Sequence, residues 1–466
     1  MTQAESARKK TRRKKTRSSK RVALEATRSK VAGIDIGSKE HWVCGPVRED
    51  GEREVRIFGA STPQLQAMAA WLLEQGVKSV AMESTYVYWI PVYELLEFAG
   101  LEVVLVNART LHNVPGRKTD MHDCQWIQLL HSCGLLQGSF RPQDAICRLR
   151  ALQRQRANLI ESRSRFVQWM QKALDQMNVR VHRAVSDLTG VTGMAIVRAI
   201  VAGERDPVRL ASFRDRGCKQ SEKAIAQHLT GNWRDEHIFN LQMSLQLFDQ
   251  VEHTIANYDQ RLLQELEALQ PTERSHEPVP SHPNPNKERE LRKRGEQPLR
   301  QALWRFANVD LTTIDGISAS SAQVILTELG TELHCFPTEK HFVSWLRLCP
   351  RKPISGGKPI KKRRNGMGAS RVAQVLRMGA VSTQRSKTAL GAAFRRVARH
   401  RGAAVAIFAV ARKLAQYVYR LLRYGQAYRD IGEQQYEARY EHRRLIALQQ
   451  SAQQLGFTLV PNPASA

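Results

Sequence analysis

Across ninety residues, from Lys340 to Arg429, the chain contains no aspartate or glutamate. The same stretch carries 22 Lys and Arg, most of a formal net charge of +28 over 466 residues. Nothing inside the run offsets its own repulsion, and an excess so far beyond the needs of solubility points to a polyanionic partner. Residues 1–30 add 12 Lys and Arg against only Glu5 and Glu25, and the remainder is slightly negative. Cysteine is also scarce. The seven residues (44, 124, 133, 147, 218, 335 and 349) are odd in number and form no C-x-x-C pair, which argues against a disulfide framework or a zinc module and for a reducing compartment. No apolar run approaches the roughly 20 residues a membrane helix needs. The basic N-terminus is followed by no apolar core, so it does not read as a secretory signal. These absences leave a cytoplasmic, nucleic-acid-associated protein with no membrane partner.

Against that cationic background, four acids fall where chain geometry brings them together. Asp35 lies in the apolar run VAGIDIGS, and Glu83 ends VAME. Asp120 and Asp123 lie three apart in KTDMHDCQW, where a helical pattern begins, and that spacing puts both on one helix face. Alternation, turn residues and caps predict three strands over 31–58, a helix from Ser61/Thr62 to Gly76, a strand at SVAMES, a helix ending at Gly100, a strand at LEVVLVN and then the D-x-x-D helix. This βββαβαβα order fits a mixed sheet covered by helices. Acids from two strand ends and one helix can converge. Converging carboxylates repel one another and favour a hard cation such as Mg2+, and two ions about 4 Å apart suit chemistry at phosphorus. Each acid alone could equally serve a helix dipole or face solvent.

Two long helices are predicted over 143–178 and 238–269. Leu149, Leu152, Leu159, Phe166, Met170, Ala173 and Met177 follow a heptad seam interrupted by Arg156 and Arg163. Ile238, Leu241, Leu245, Phe248, Ile255, Leu262 and Leu266 follow another, interrupted by Glu252 and Asp259. Antiparallel coiled-coil-like packing would set Arg156 near Asp259 and Arg163 near Glu252. Residues 271–300 are Pro-rich and charged and read as a linker, with His276 and His282 as bystanders. VDLTTIDGISASSAQVILTELG reads as helix, Gly-centred turn, helix, similar to a phosphate-holding helix-hairpin-helix except that Ser318 stands where a second glycine is usual. Further on, Ser355 precedes Gly356-Gly357 amid Arg347, Arg351, Lys352, Lys358, Lys361, Lys362, Arg363 and Arg364. Glycines let a backbone approach a phosphate, and the cations suit charge growing on phosphorus. By spacing alone Ser355 reads as a turn serine or a phosphate-binding hydroxyl rather than a nucleophile, since serine is a weak nucleophile unless a base or metal activates it.

The blocks GIDIGSKEHWV, AMESTYVYW and NARTLHNVPGRKTDMHDCQWI, with IDGISASSAQVILTELG and FVSWLRLCPRKPISGGKPIKKRRNGMGASRVAQVL, resemble the DEDD transposases of the insertion-sequence one-ten family, serine recombinases guided by a bridge RNA. The resemblance implies an α/β RNase H-like (RuvC-like) domain over 31–142 and a mainly α transposase domain over 301–430; residue patterns set a helical, coiled-coil-like region over 143–270 and a linker over 271–300 between them. A basic tail (1–30) and a C-terminal helix with a frayed end (431–466) flank them. The resemblance also implies metal ligation by Asp35, Glu83, Asp120 and Asp123, a nucleophilic Ser355, two Mg2+ ions, donor and target DNA, a structured guide RNA, and a dimer or tetramer working on the bacterial nucleoid. A metal-dependent RuvC-type nuclease that hydrolyses DNA with water, and a non-catalytic nucleic-acid scaffold, are the competing expectations. The basic extension and the length of 271–300 depart from the family pattern.

Overall fold

The computed structural model describes residues 26–107, 120–271, 277–349, 354–355, 358–359 and 370–460. The chain divides at Arg141/Pro142 into two units, each taken by itself below. Among the described residues no helix is long and apolar enough to cross a membrane.

The first unit is built on a five-stranded sheet in the order β3-β2-β1-β4-β5. The strands are β1 (Val31–Ile36), β2 (Glu40–Val47), β3 (Arg53–Gly59), β4 (Ser79–Glu83) and β5 (Glu102–Val106). The first three run as an antiparallel meander; β4 and β5 add parallel to β1. Three antiparallel strands extended by two parallel ones make the mixed sheet that the strand and helix order leads one to expect. Helix α1 (Thr62–Glu74) begins with proline in its first turn, where the missing N–H costs nothing, and α2 (Trp89–Phe98) and α3 (Asp120–Ser132) complete the βββαβαβα order.

Side-chain alternation sorts the sheet into two faces. Ala32, Ile34, Ile36, Val80 and Met82 pack with Leu65, Met68 and Leu72 of α1 and Val92 and Leu96 of α2. Ala81 and Val106 face the other way, onto Ile127 and Leu130 of α3. Gly33 pairs in register with Ala81, so Gly33 and, two residues on, Asp35 share the α3 face.

In the second unit, α4 (Asp144–Gln176) is followed by four short helices: α5 (Val181–Ala184), α6 (Val191–Val201), α7 (Pro207–Ser212) and α8 (Glu222–Gln227). The long α9 (Asp235–Ala268) comes next. The seam of α9 is buried at Leu241, Leu245, Phe248, Ile255, Leu262 and Leu266. Helices α4 and α9 run antiparallel. Arg156 bonds both carboxylate oxygens of Asp259, and Arg163 Nη1 lies 2.6 Å from Glu252 Oε1. The latter side chains are 34% and 41% exposed, so that pair sets register while contributing only about 0.2–1 kcal/mol.

Residues 277–300 are not the linker their composition suggests; residues 272–276, with His276, lie outside the described residues. Helix α10 (Pro285–Lys293) is capped by the Asn284 side chain and buries Leu291. His282 is buried with its two ring nitrogens near the Asn284 and Thr312 carbonyls. Helix α11 (Gln297–Ala307) buries Arg300, whose guanidinium holds Asp310 at 2.7 Å and the Pro280 carbonyl. One leucine and one paired arginine anchor what polar composition disguises.

The remaining helices are α12 (Ala319–Leu329), α13 (Glu339–Trp345), α14 (Arg371–Ser382), α15 (Ala389–Arg401), α16 (Ala403–Tyr424) and α17 (Gly432–Gln454). The hairpin before α12 turns at Gly316 (φ +85°), against α14: a Cβ on Gly316 would lie 2.6 Å from the Gly379 carbonyl. Ser318 caps α12 by accepting from the Ser321 N–H, and the Lys287 ammonium donates to the Ile317 carbonyl at 2.9 Å. Burial lowers the Lys287 pKa.

Candidate functional site

Helix α3 runs antiparallel to β1 and very close to it. Gln128 Nε2 donates to the Val31 carbonyl (3.4 Å), and the Thr27 N–H to the Ser132 carbonyl (2.8 Å). A Cβ on Gly33 would stand 2.4 Å from both the Cys124 carbonyl oxygen and the Gln128 nitrogen. Only glycine lets these backbones meet. Four helix residues back from Cys124 is about 6 Å, and two strand residues on from Gly33 is about 6.6 Å. The start of α3 therefore comes level with Asp35.

Asp35 lies one position past the last pairing of β1 with β4, Ile34↔Met82. That places it beside Glu83, on adjacent strands roughly 4.8 Å apart. Both share the face of Gly33 and Ala81. Position 123 lies on the α3 stripe of Ile127 and Leu130, which packs on that face, and position 120 continues the stripe by its spacing. Asp35 and Asp123 are half-buried. Glu83 is only 8% exposed and accepts from Thr85 Oγ1 at 3.4 Å. The side chain of Asp120 lies outside the described residues. Among those described, no three His, Cys, Asp or Glu side chains form a ready-made metal-holding group.

The two thiols of this seam stay protonated. Burial, first of all, pushes Cys124 up to about 12, and the nearby Asp35 charge adds to that; burial likewise pushes Cys44 up to about 11. The acids on this face offer carboxylate oxygens, the donor set that suits a hard divalent cation.

In the second unit, Ser355 ends β6 (Ile354–Ser355) and pairs with Lys358 of β7 (Lys358–Pro359). Gly356 and Gly357 lie between the two strands in sequence. Apart from these backbone pairings, the basic-loop positions Arg351, Lys352, Gly356, Gly357, Lys361, Lys362, Arg363 and Arg364, and the side chains of Ser355 and Lys358, lie outside the described residues. Arg347 is exposed and left-handed (φ +57°) just after α13.

The acid-free run is partly neutralised from its flanks. Glu339 holds Arg420 at 2.7 Å, which lowers the Glu339 pKa, and Glu433 holds Arg395 at 2.6 Å. Of the aromatics among its cations, Tyr419 is core, donating to the Phe336 carbonyl at 2.8 Å, and Tyr417 packs on Tyr428. Trp345 and Tyr424 remain 40% and 64% exposed.

Residues 32–179 match a family model described as transposase, of the DEDD IS110 type, and residues 308–395 one described as transposase, IS116/IS110/IS902 family. Among solved structures, T. thermophilus RuvC in complex with Holliday junction substrate is 14% identical, covering 23% of this chain and 98% of that chain, with a TM-score of 0.19. No curated protein matches the chain.

Proposed function

A chain that carries two transposase domains of the IS110 family is a DNA transposase, and we propose that it cuts and rejoins DNA through a covalent serine ester, with divalent metal held by Asp35, Glu83, Asp120 and Asp123. The observation that carries the metal half is the seam at Gly33, which draws the start of α3 level with the ends of β1 and β4. Mg2+, as one or two ions, fits this oxygen donor set. When bound, the metal polarises a phosphate oxygen and lowers the barrier to displacement at phosphorus.

The protein's own share of the chemistry then falls on Ser355. Its Oγ forms the new bond to phosphorus while the bond to one deoxyribose oxygen breaks, and the serine proton goes to that leaving oxygen. A deoxyribose hydroxyl of another strand reverses the step and frees the serine, so rejoining needs no external energy source. Support for Ser355 comes from its backbone pairing with Lys358, from the Gly356-Gly357 that follows it in sequence, and from the family resemblance. Donor and target DNA are the substrates, and the acid-free basic run supports a structured guide RNA as a further partner. Copies of the chain would act together on paired DNAs, at the nucleoid.

Recombination of two duplexes by the purified protein tests this reading. Activity is expected to vanish with a metal chelator and with ribonuclease. Binding is expected to weaken with a log–log salt slope of about −0.7 to −0.9 per phosphate contact. Recombination unchanged by ribonuclease would leave a protein-only transposase.

A further inference from the structure

Strand β4 ends on Glu83, and the chain turns through residues 84–88 before α2 begins at Trp89. In that turn Tyr86 adopts φ +48°, a left-handed conformation that is a genuine outlier for a bulky side chain. Glycine would take it at no steric cost. The Tyr86 ring is not buried in return: it is 78% exposed, beside Val87 at 51% and Tyr88 at 39%.

The turn is nonetheless held firmly. The Ser84 N–H donates to the Val106 carbonyl and the Thr85 N–H to the Glu83 carbonyl, both at 3.0 Å, and Trp89 Nε1 donates to the Tyr86 carbonyl at 3.2 Å. The Tyr86 and Tyr88 rings lie 5.6 Å apart, tilted by 47°. A strained, outward-facing aromatic pair thus sits three residues beyond a carboxylate of the candidate site. Strain that the surroundings over-determine gathers where function uses it.

We propose that Tyr86, backed by Tyr88, is a stacking platform for one nucleobase of the strand whose phosphate enters the acid cluster. The occupant is an unstacked base of single-stranded or locally melted DNA. Three residues of chain reach at most about 11 Å, and a strand advances about 3.4 Å per nucleotide, so the stacked base lies within roughly three nucleotides of the bound phosphate. A protein partner fits less well: a stable interface covers about 800 Å² per side, and two tilted rings with one valine offer far less. This inference rests on the reading that the acids of β1, β4 and α3 handle DNA phosphates.

The test uses the full chain and an oligothymidylate carrying 5-iodouracil, irradiated and mapped by mass spectrometry. Affinity is measured at raised salt, where distant phosphate contacts weaken. Tyr86 is expected to be the cross-linked residue of the tryptic peptide spanning 79–109. Tyr86→Gly is expected to lose the cross-link and to bind at least about fivefold more weakly, while its thermal midpoint stays at or above wild type because glycine accepts the backbone conformation. Tyr86→Phe keeps the ring and is expected to retain both binding and cross-link. Stability maintained while binding falls is a combination a merely structural tyrosine does not give.

Tyr86→Gly that binds and cross-links like wild type would overturn the proposal, as would a wild-type cross-link lying only elsewhere. A change in oligomeric mass with DNA affinity unaltered would overturn it in favour of a second copy of the chain. Cleavage by Asp35→Asn is scored separately. If that variant is inactive while Tyr86→Gly cross-links normally, the stacking platform falls and the catalytic reading stands. If Asp35→Asn cleaves normally, the catalytic reading falls, and the cross-link still decides the platform.

Discussion

Asp35→Asn is expected to reduce metal-dependent strand cleavage by about a thousandfold or more while leaving the fold and nucleic-acid affinity close to wild type. Asparagine keeps the size of the side chain and removes the charge that a hard cation needs. Several kcal/mol of charge stabilisation at phosphorus go with it, at about 1.4 kcal/mol per tenfold in rate. Asp123→Asn is expected to behave alike, since position 123 faces the sheet on the Ile127–Leu130 stripe. Cleavage of a labelled DNA, with circular dichroism as the folding control, measures both. Activity within tenfold of wild type for either variant would remove the acid cluster from the chemistry.

Gly33→Ala is expected to be nearly as damaging to activity although residue 33 has no side chain to contribute. Its new methyl would meet backbone atoms of α3, the Cys124 oxygen and the Gln128 nitrogen at 2.4 Å and the Gln128 Cα at 2.9 Å. No rotamer change relieves a clash with backbone. The helix must move off the sheet and carry Asp120 and Asp123 away from Asp35 and Glu83. Overpacking of this kind costs about 1–3 kcal/mol of stability, and an ångström of misplacement costs on the order of a hundredfold in rate. Gly138→Ala is the control, because its Cβ would meet only Val104 Cγ1 at an ordinary 3.6 Å. If Gly33→Ala matches that control in melting temperature and cleavage, the close seam does not position the acids.

The first unit was largely legible from the chain. Alternation in VAGIDI and SVAME, a proline opening α1 and the D-x-x-D spacing are local signals, and together they yield the strand and helix order and put three of the acids on one face of the sheet. Gly33 was within reach of the same alternation, since it lies two residues before Asp35 on the same strand face; what composition does not reveal is that a helix backbone fills the space its missing Cβ leaves. Tyr86 carried no signal at all, because a tyrosine in a turn gives no hint of a positive φ.

Elsewhere the chain misled for physical reasons. Residues 277–300 look like a linker because their prolines and charges dominate, yet Leu291 and the Arg300–Asp310 pair are enough to fasten them. The long heptad patterns did mark the α4–α9 partnership and its ion pairs, because a seam interrupted by opposite charges has few registers. The acid-free run overstated its own isolation. Glu339 and Glu433 reach in from its two ends, a long-range pairing that no window of sequence displays.

The most direct test of the account is to trap the DNA on the protein. Wild-type chain, incubated with end-labelled DNA, Mg2+ and its RNA and then denatured, is expected to carry the label covalently, on the peptide containing Ser355. Ser355→Ala and Asp35→Asn are each expected to show no adduct. Label that stays on Ser355→Ala, or wild-type cleavage that leaves free DNA ends and no adduct, would contradict a serine-linked intermediate and leave a nuclease that uses water.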